Sequence, residues 1–181
     1  PDDYQKVESM LERDNWFRVN GEYRIILPDD SVRWISTRSF PVFNEQGEPH
    51  RIAGLSLDIT EKKQLEIESN ILNRALEQTA DAVLITDQHG KIVYVNSAFE
   101  DMTGYMRDEV LGKRPGILNS GLQERDFYDE MWINLHRGIP FTDIFINRRK
   151  NGDIYYEEQT ISPVRDARGE VTHFVSTGKD I

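Results

Sequence analysis

Apolar and polar residues alternate along three stretches in the first third of the chain, which predicts three antiparallel strands. The stretches are Tyr23–Leu27, Val32–Phe43 and Arg51–Leu57. Short segments rich in Pro, Asp, Asn and Gly separate them, and these residue types favour the tight turns of hairpins. Ahead of the strands, apolar residues within Asp2–Asp14 recur at helical spacing and predict one short helix.

The pattern changes to a helical period after Thr60. Leu65, Leu72 and Leu76 form an apolar stripe at helical spacing. No Gly or Pro interrupts the stripe, so a continuous helix is predicted over Glu61–Thr79. A stripe this narrow serves either to join two helices in a coiled coil or to pack the helix across the sheet of its own domain, and the pattern leaves both open.

The remainder of the chain predicts five strands, with short helices inserted between the second and the third. Four consecutive apolar residues within Ala82–Thr86 are typical of a strand that is covered on both faces. The most regular helical pattern covers Gln123–Arg137, where apolar residues recur every four positions. The other predicted strands are Lys91–Val95, Phe141–Arg149, Ile154–Val164 and Val171–Gly178. The fold class that follows is α+β, a five-stranded antiparallel sheet with short helices on one face.

An internal duplication organises these elements. Gly21–Ile59 aligns without a gap on Asp143–Ile181, which lies 122 positions further along the chain. Identical residues cluster at one turn and at strand ends, as expected for two copies of one unit. The identical pairs are Pro41-Val42 with Pro163-Val164, Gly47-Glu48 with Gly169-Glu170, and Asp58-Ile59 with Asp180-Ile181. We therefore expect the C-terminal part of a first domain at residues 1–59, a connecting helix at 60–80 and a second domain at 81–181.

Composition and charge exclude several functions. The sequence contains no cysteine, which rules out disulfides, zinc–thiolate sites and cysteine nucleophiles. Its net charge of −10 argues against nucleic-acid binding, and no apolar run approaches the length of a membrane-spanning helix. The four histidines lack metal-ligand spacing, and no glycine-rich loop follows a strand as phosphate binding requires. We therefore expect a cytoplasmic module without a metal site, without membrane contact and without an active site.

The order of several motifs resembles the PAS family. Ile85–Asp87, Val95–Phe99 and Thr103–Tyr105 resemble the start of a PAS domain. Asn147–Gly152 resembles part of its second half, and Asp58–Glu61 resembles the family's Asp-Ile-Thr ending, which leads into a signalling helix. The resemblance implies a sensory fragment that binds a small ligand, forms a homodimer through its flanking helices and the outer face of its sheet, and controls an output enzyme. Such outputs include the histidine kinases of two-component systems and diguanylate cyclases. The alternative is a ligand-free PAS domain that acts as a dimerisation and relay module.

Within the family, Leu111–Gly121 and Phe145–Lys150 are most similar to flavin-binding redox sensors, which implies FAD as the cofactor. Pro115 stands where blue-light PAS domains need a reactive cysteine, so a cysteine photoadduct is excluded. Trp132 lies near the position from which haem PAS domains take an axial histidine, which argues against haem. By resemblance, the cofactor-binding residues are Ile117, Leu118, Trp132, Phe141, Phe145, Asn147, Glu157 and Gln159.

The hairpin at Lys150–Gly152 decides which residues reach such a ligand. A two-residue type I′ turn places Asn147 opposite Tyr156, whereas a three-residue loop with a left-handed glycine places it opposite Tyr155. The local sequence favours neither register. The family resemblance favours the second, because flavin PAS domains use two polar residues ten positions apart, as Asn147 and Glu157 are.

The first domain differs at the equivalent positions, where two of three residues are apolar, so we expect a drier pocket there and no flavin. The equivalent pairs are Ile25 with Asn147, Ile35 with Glu157, and Thr37 with Gln159. Glu157 itself departs from the family, since it stands where the light sensors carry a second flavin-contacting Asn. An ionised carboxylate in an apolar pocket is costly unless it is paired.

Overall fold

The computed structural model describes residues 3–5, 8 and 20–181 of the chain. Most of the helix predicted over Asp2–Asp14 lies outside the described residues. The chain divides into two compact units between Ile71 and Leu72. The described residues of each unit contain one antiparallel sheet.

The first unit contains a three-stranded sheet in the order β1-β2-β3. Its strands are β1 (Asn20–Ile26), β2 (Val32–Phe43) and β3 (Pro49–Asp58). They correspond to the three strands predicted from the alternation, and no residue of these strands is buried. Helix α1 (Thr60–Glu77) follows, beginning in the first unit and ending in the second.

The second unit has the predicted α+β fold, a five-stranded antiparallel sheet in the order β5-β4-β8-β7-β6. Its strands are β4 (Ala82–Asp87), β5 (Ile92–Val95), β6 (Phe141–Arg148), β7 (Ile154–Arg165) and β8 (Val171–Asp180). Its helical segments are α2 (Ser97–Thr103), α3 (Arg107–Val110), a 3-10 turn (Pro115–Leu118) and α4 (Arg125–His136). Because β4 pairs with β8, the two ends of this unit meet inside the sheet.

The strand register repeats between the two units at the offset of 122 residues. Ile25 pairs with Arg33 in the first sheet, and Asn147 pairs with Tyr155 in the second. Both sheets also shift register at equivalent positions between their last two strands, after Val42 and again 122 residues later. This agreement in paired residues supports the internal duplication seen in the sequence.

Three hairpin turns share one construction that their sequences dictate. Asn44, Asp87 and Asp166 begin these turns, and each side-chain oxygen accepts hydrogen bonds from the backbone N–H groups two and four residues later. The glycine three residues after each of them has a positive φ between 73° and 84°, which L side chains rarely adopt. These turns fix the loop lengths and, through them, the strand register.

The core of the second unit consists of two apolar clusters. The first is formed by Ala82, Leu84, Ile92, Val95, Phe99, Val110 and Leu118. The second is formed by Met131, Leu135, Phe141, Phe145 and Phe174. Complete burial of a leucine or phenylalanine side chain contributes roughly 1.5–3 kcal/mol. Together the clusters hold the helices against one face of the sheet.

The helix predicted over Glu61–Thr79 is observed as the continuous helix α1. No residue of α1 is buried, and Leu65 and Leu72 are 60% and 66% exposed. The apolar stripe of α1 therefore has no complete cover among the described residues.

The C-terminal end of α1 is anchored by the completely buried side chain of Asn96. The acceptors of its Nδ2 group, each at 3.0 Å, are Leu76 O, Thr79 Oγ1 and Asp81 O. Its Oδ1 accepts from the N–H groups of Val83 and Phe99 at 2.8 and 3.0 Å. The bond to Phe99 caps α2.

Glu77 adds a second anchor in the last turn of α1. Its carboxylate accepts hydrogen bonds from Tyr94 OH at 2.9 Å and from the Ser97 N–H at 3.1 Å, and it pairs with Arg107. Burial and the neighbouring Glu77 carboxylate raise the pKa of Tyr94 to about 12. The end of the helix is thus fixed to β5 and to the start of α2.

Candidate ligand-binding cavity

A cavity of about 310 Å³ lies between the sheet of the second unit and its helices. Strands β4, β6, β7 and β8 form one wall, and α2, the 3-10 turn with its flanking loop, and α4 form the other. This volume is at the lower end of the range for small-molecule sites, roughly 300–1,000 Å³. The polar side chains that the strands contribute to the lining are Thr86, Asn147, Glu157, Gln159 and Ser176.

The hairpin between β6 and β7 brings the polar residues to the inner face. The Arg149 N–H donates to Asp153 O, and Gly152 has a φ of 99°, so the loop has three residues. Asn147 pairs with Tyr155, which confirms the register favoured by the family resemblance. Because side chains alternate along a strand, Asn147 and Glu157 then share the face that lines the cavity.

A buried hydrogen-bonded group forms part of the cavity wall. Asn147 Nδ2 donates to Glu157 Oε2 at 2.8 Å, and the Tyr155 hydroxyl donates to the same oxygen at 3.4 Å. All three residues are at most 6% exposed. Burial raises the pKa of the Glu157 carboxyl, the two hydrogen bonds oppose this rise, and the negative charge of Asp180 adds to it. The Glu157 carboxylate, for which the sequence indicates no partner, is therefore hydrogen-bonded by residues of β6 and β7.

Gly178 makes room for this carboxylate. A Cβ atom at Gly178 would lie 1.8 Å from Glu157 Oε1, much closer than any non-bonded contact allows. Strands β7 and β8 bring the two residues together, since Gln159 pairs with Gly178 in their register. A side chain at position 178 is thus incompatible with the observed position of Glu157.

Other groups of the lining present acceptors and aromatic surface. Gln159 Nε2 donates to Ser176 Oγ at 2.6 Å. Within the described residues, no donor reaches Asn147 Oδ1 or Gln159 Oε1, so both carbonyl oxygens are available to a ligand. The rings of Trp132 and Phe174 meet edge to face at 5.7 Å and contribute apolar surface.

The structure brings six of the eight predicted site residues together around the cavity. These are Leu118, Trp132, Phe145, Asn147, Glu157 and Gln159. Phe141 does not line the cavity, because it packs edge to face on Phe127 at 5.4 Å within the second core cluster. Ile117 does not line it either, because it packs against the first core cluster.

Several lining residues escaped prediction from the sequence. Ala82, Leu84 and Thr86 of β4 line the cavity, and their occurrence at every second position of a strand is the signal that identifies one shared face. His89 and Arg114 also line it, and no sequence pattern distinguishes them from ordinary turn and loop residues. The described part of the chain contains no cluster of side chains suited to a metal ion and no helix able to span a membrane.

An antiparallel sheet whose inner face encloses a cavity beneath short helices defines an α+β domain with a candidate ligand site. A family model described as the PAS fold matches residues 70–181, and a second model with the same description matches residues 1–56. Since the first match covers more than half of the chain, the chain belongs to the PAS family.

The relatives that the chain resembles include regulatory and sensor proteins. It is 35% identical over 106 residues to a nitrogen fixation regulatory protein of Klebsiella oxytoca, covering 59% of this chain and 21% of that protein. It is 31% identical over 126 residues to the sensor protein FixL of Bradyrhizobium diazoefficiens, covering 65% and 25% of the two chains. The chain thus spans about a fifth to a quarter of these relatives.

A solved structure also matches this chain. Its title is "Flavin Analogue Sheds Light on Light-Oxygen-Voltage Domain Mechanism". The match has a TM-score of 0.56 and 26% sequence identity, and it covers 61% of this chain and 84% of that one.

Proposed function

We propose that the second unit is a sensory PAS domain that binds a small planar ligand in the cavity, with FAD as the cofactor. The observation that carries the proposal is the buried Asn147–Glu157 pair in the cavity wall. The carbonyl oxygens of Asn147 and Gln159 have no donor within the described residues, and both residues line the cavity, so these oxygens can accept hydrogen bonds from a ligand there. A bound ligand that donates to them accounts for their presence.

The lining fits the chemistry of a flavin ring. One edge of that ring carries carbonyl acceptors and an N–H donor, and the carboxamides of Asn147 and Gln159 offer complementary groups. Phe145, Trp132 and Leu118 would cover its apolar surface. When bound, a flavin supplies reversible redox chemistry, and the absence of cysteine from the chain excludes a cysteine adduct. The likeness to a light-oxygen-voltage domain whose title names a flavin analogue adds support.

The purified chain tests this proposal. We expect it to absorb in the flavin bands or to take up added FAD, and Asn147→Ala to abolish retention while circular dichroism stays unchanged. Asn73→Ala is the matched control, because Asn73 is an exposed residue of α1. A colourless protein that does not bind FAD at any concentration would exclude the flavin.

A second candidate function is a dimerising relay, and the exposed stripe of α1 favours it. Leu65, Ile71 and Leu72 are each at least 60% exposed, and a second copy of the chain is the proposed cover. Leu72→Pro removes roughly 3 kcal/mol of helix stability. We expect this variant to lose the dimer in light-scattering measurements, with Asn73→Ala as control. A wild-type monomer at all concentrations contradicts this role.

A further inference from the structure

Glu157 controls which atoms the cavity wall can offer to a ligand. Its Oε2 accepts from both Asn147 Nδ2 and the Tyr155 hydroxyl, so these donors are engaged within the wall. Gln159 Nε2 is likewise engaged, by Ser176 Oγ. With the carboxylate ionised, one N–H of each carboxamide is therefore occupied, while the carboxamide oxygens have no donor among the described residues. Such a wall favours a ligand edge that donates hydrogen bonds.

A proton on Glu157 reverses this arrangement. The protonated Oε2 becomes a donor and needs an acceptor, because an unmade hydrogen bond in a buried site is costly. The Asn147 carboxamide supplies that acceptor when it turns through about 180°, since its two ends have nearly the same shape but opposite hydrogen-bonding roles. The turn directs Oδ1 to Glu157 and presents Nδ2 to the cavity.

We infer that Glu157 is a specificity-determining residue of the cavity, whose protonation turns the Asn147 carboxamide and thereby changes the atom that Asn147 presents to a planar heterocyclic ligand from an acceptor to a donor. The inference rests on the proposed function in that a ligand occupies this cavity. A ligand edge rich in N–H groups then binds the ionised form more tightly, and an edge rich in carbonyl oxygens binds the protonated form.

The surroundings of Glu157 favour titration. Burial raises the pKa of its carboxyl above the usual value. No Lys, Arg or His forms an ion pair with it among the described residues. Arg149 stacks on the Tyr155 ring at 4.5 Å and pairs with Asp180 rather than with Glu157. The other titratable groups around the cavity are His89, Arg114 and Tyr128 in its lining, and Asp180, the strand partner of Glu157.

The ligand-free protein gives the direct test. The side-chain NH2 resonances of Asn147 should shift with pH in a single step in the wild type. Glu157→Gln mimics the neutral acid, so its Asn147 resonances should stay near the acidic wild-type positions at every pH. Tyr155→Phe removes a donor to the carboxylate and should move the midpoint of the step to higher pH. If Glu157→Gln does not fold, the shift of the midpoint in Tyr155→Phe still tests the inference.

Binding of FAD gives the second arm. The Kd of the wild type should change about fivefold across the same step, a factor typical of one net hydrogen bond, and that of Glu157→Gln should stay constant. Asn147 resonances that do not move with pH, or that move equally in Glu157→Gln, overturn the inference. A protein that binds no FAD at any pH refutes the flavin proposal instead, while the resonances still decide the role of Glu157.

Discussion

The two units of this chain share a strand register but carry different chemistry at equivalent positions of their sheets. Where the second unit carries a carboxamide and a buried carboxylate, the first carries isoleucines. The equivalent pairs are Ile25 with Asn147, Ile35 with Glu157, and Thr37 with Gln159. The described strands of the first unit contain no buried residue, whereas the second unit encloses a cavity. The two units thus share a backbone pattern and differ in the chemistry of a few equivalent positions.

The strand ends show the opposite trend, because both units retain the same construction there. The Ile59 N–H donates to Trp34 O at 2.8 Å, and 122 residues later the Ile181 N–H donates to Tyr156 O at 3.0 Å. Asp58 pairs with Arg33, and its equivalent Asp180 also pairs with an arginine, Arg149, which comes from a different position of the repeat. The two units thus share the Asp-Ile pair at the end of the last strand, while they differ at positions within the strands.

The strongest test of this comparison exchanges Gly178 for its first-unit equivalent, Ser56. Gly178→Ser places a side chain where Glu157 Oε1 lies, so we expect the free energy of unfolding to fall by about 3 kcal/mol, at the upper end for overpacking. Adding Glu157→Ile recreates the pair found in the first unit and removes the collision, so the double variant should lose less stability than the sum of the two single variants. Urea denaturation of the single and double variants measures the coupling, and strictly additive effects contradict the proposed collision.

A second test replaces the buried polar group of the second unit with apolar residues, as found at two equivalent positions of the first unit. The triple variant Asn147→Ile, Tyr155→Phe, Glu157→Ile removes every member of the buried polar group and leaves no donor unpaired. We expect stability to rise by about 2 kcal/mol, because apolar replacement of buried polar groups is often stabilising. Binding of FAD should be lost. A less stable variant in urea denaturation argues that the polar group contributes to folding.

The pH dependence of stability separates the two units further. The folded pKa of Glu157 is raised, so its contribution to stability is complete below the unfolded value, about 4.3, and is lost as the pH rises through the folded pKa. The stability of the wild type relative to Glu157→Gln should therefore decline from acidic towards neutral pH. Comparing the two proteins cancels the lowered pKa values of Asp58 and Glu77, which act in the opposite direction. If the difference in the free energy of unfolding between the two proteins does not change with pH, the raised pKa of Glu157 is contradicted.

The smallest expected effect distinguishes the two arginines at the strand ends. Arg149 contacts the Tyr155 ring and donates to Met102 O and to Asp180, so Arg149→Ala should lower the Tm of the second unit by about 5 °C. Arg33→Ala should produce no measurable change, because its pair is long at 3.6 Å and half exposed. Differential scanning calorimetry measures both, and equal shifts contradict the distinction.

The sequence predicted the sheet, its turns and most of the cavity wall, because these depend on local patterns. The sequences Asn44–Gly47 and Asp166–Gly169 specify their turns through one side chain and one glycine. The register at Asn147 needed the family resemblance, since two loop lengths suit the same residues. Six of the eight predicted site residues line the cavity, with Phe141 among the exceptions.

The remaining features depend on contacts between residues distant in the chain. Phe141 follows the alternation of the inner face, but the position of α4 directs it into the aromatic cluster on Phe127. The space above Gly178 is filled by a carboxylate from a neighbouring strand, which no local pattern reveals. The exposure of the apolar stripe of α1 cannot be predicted from the sequence either. The spacing of its leucines is the same whether or not another surface covers them.

The network around Asn96 has a consequence for how this protein opens. One carboxamide joins the end of α1, the start of β4 and the first turn of α2, and its hydrogen bonds are complete only when all three segments are in place. Fraying of the last helical turn therefore exposes several buried polar groups at once, which makes the three segments a single cooperative unit. Amide protons at the end of α1 should then exchange with solvent through the same opening event as those of β4. Amide protons near Leu65 should exchange faster, by local opening of the helix.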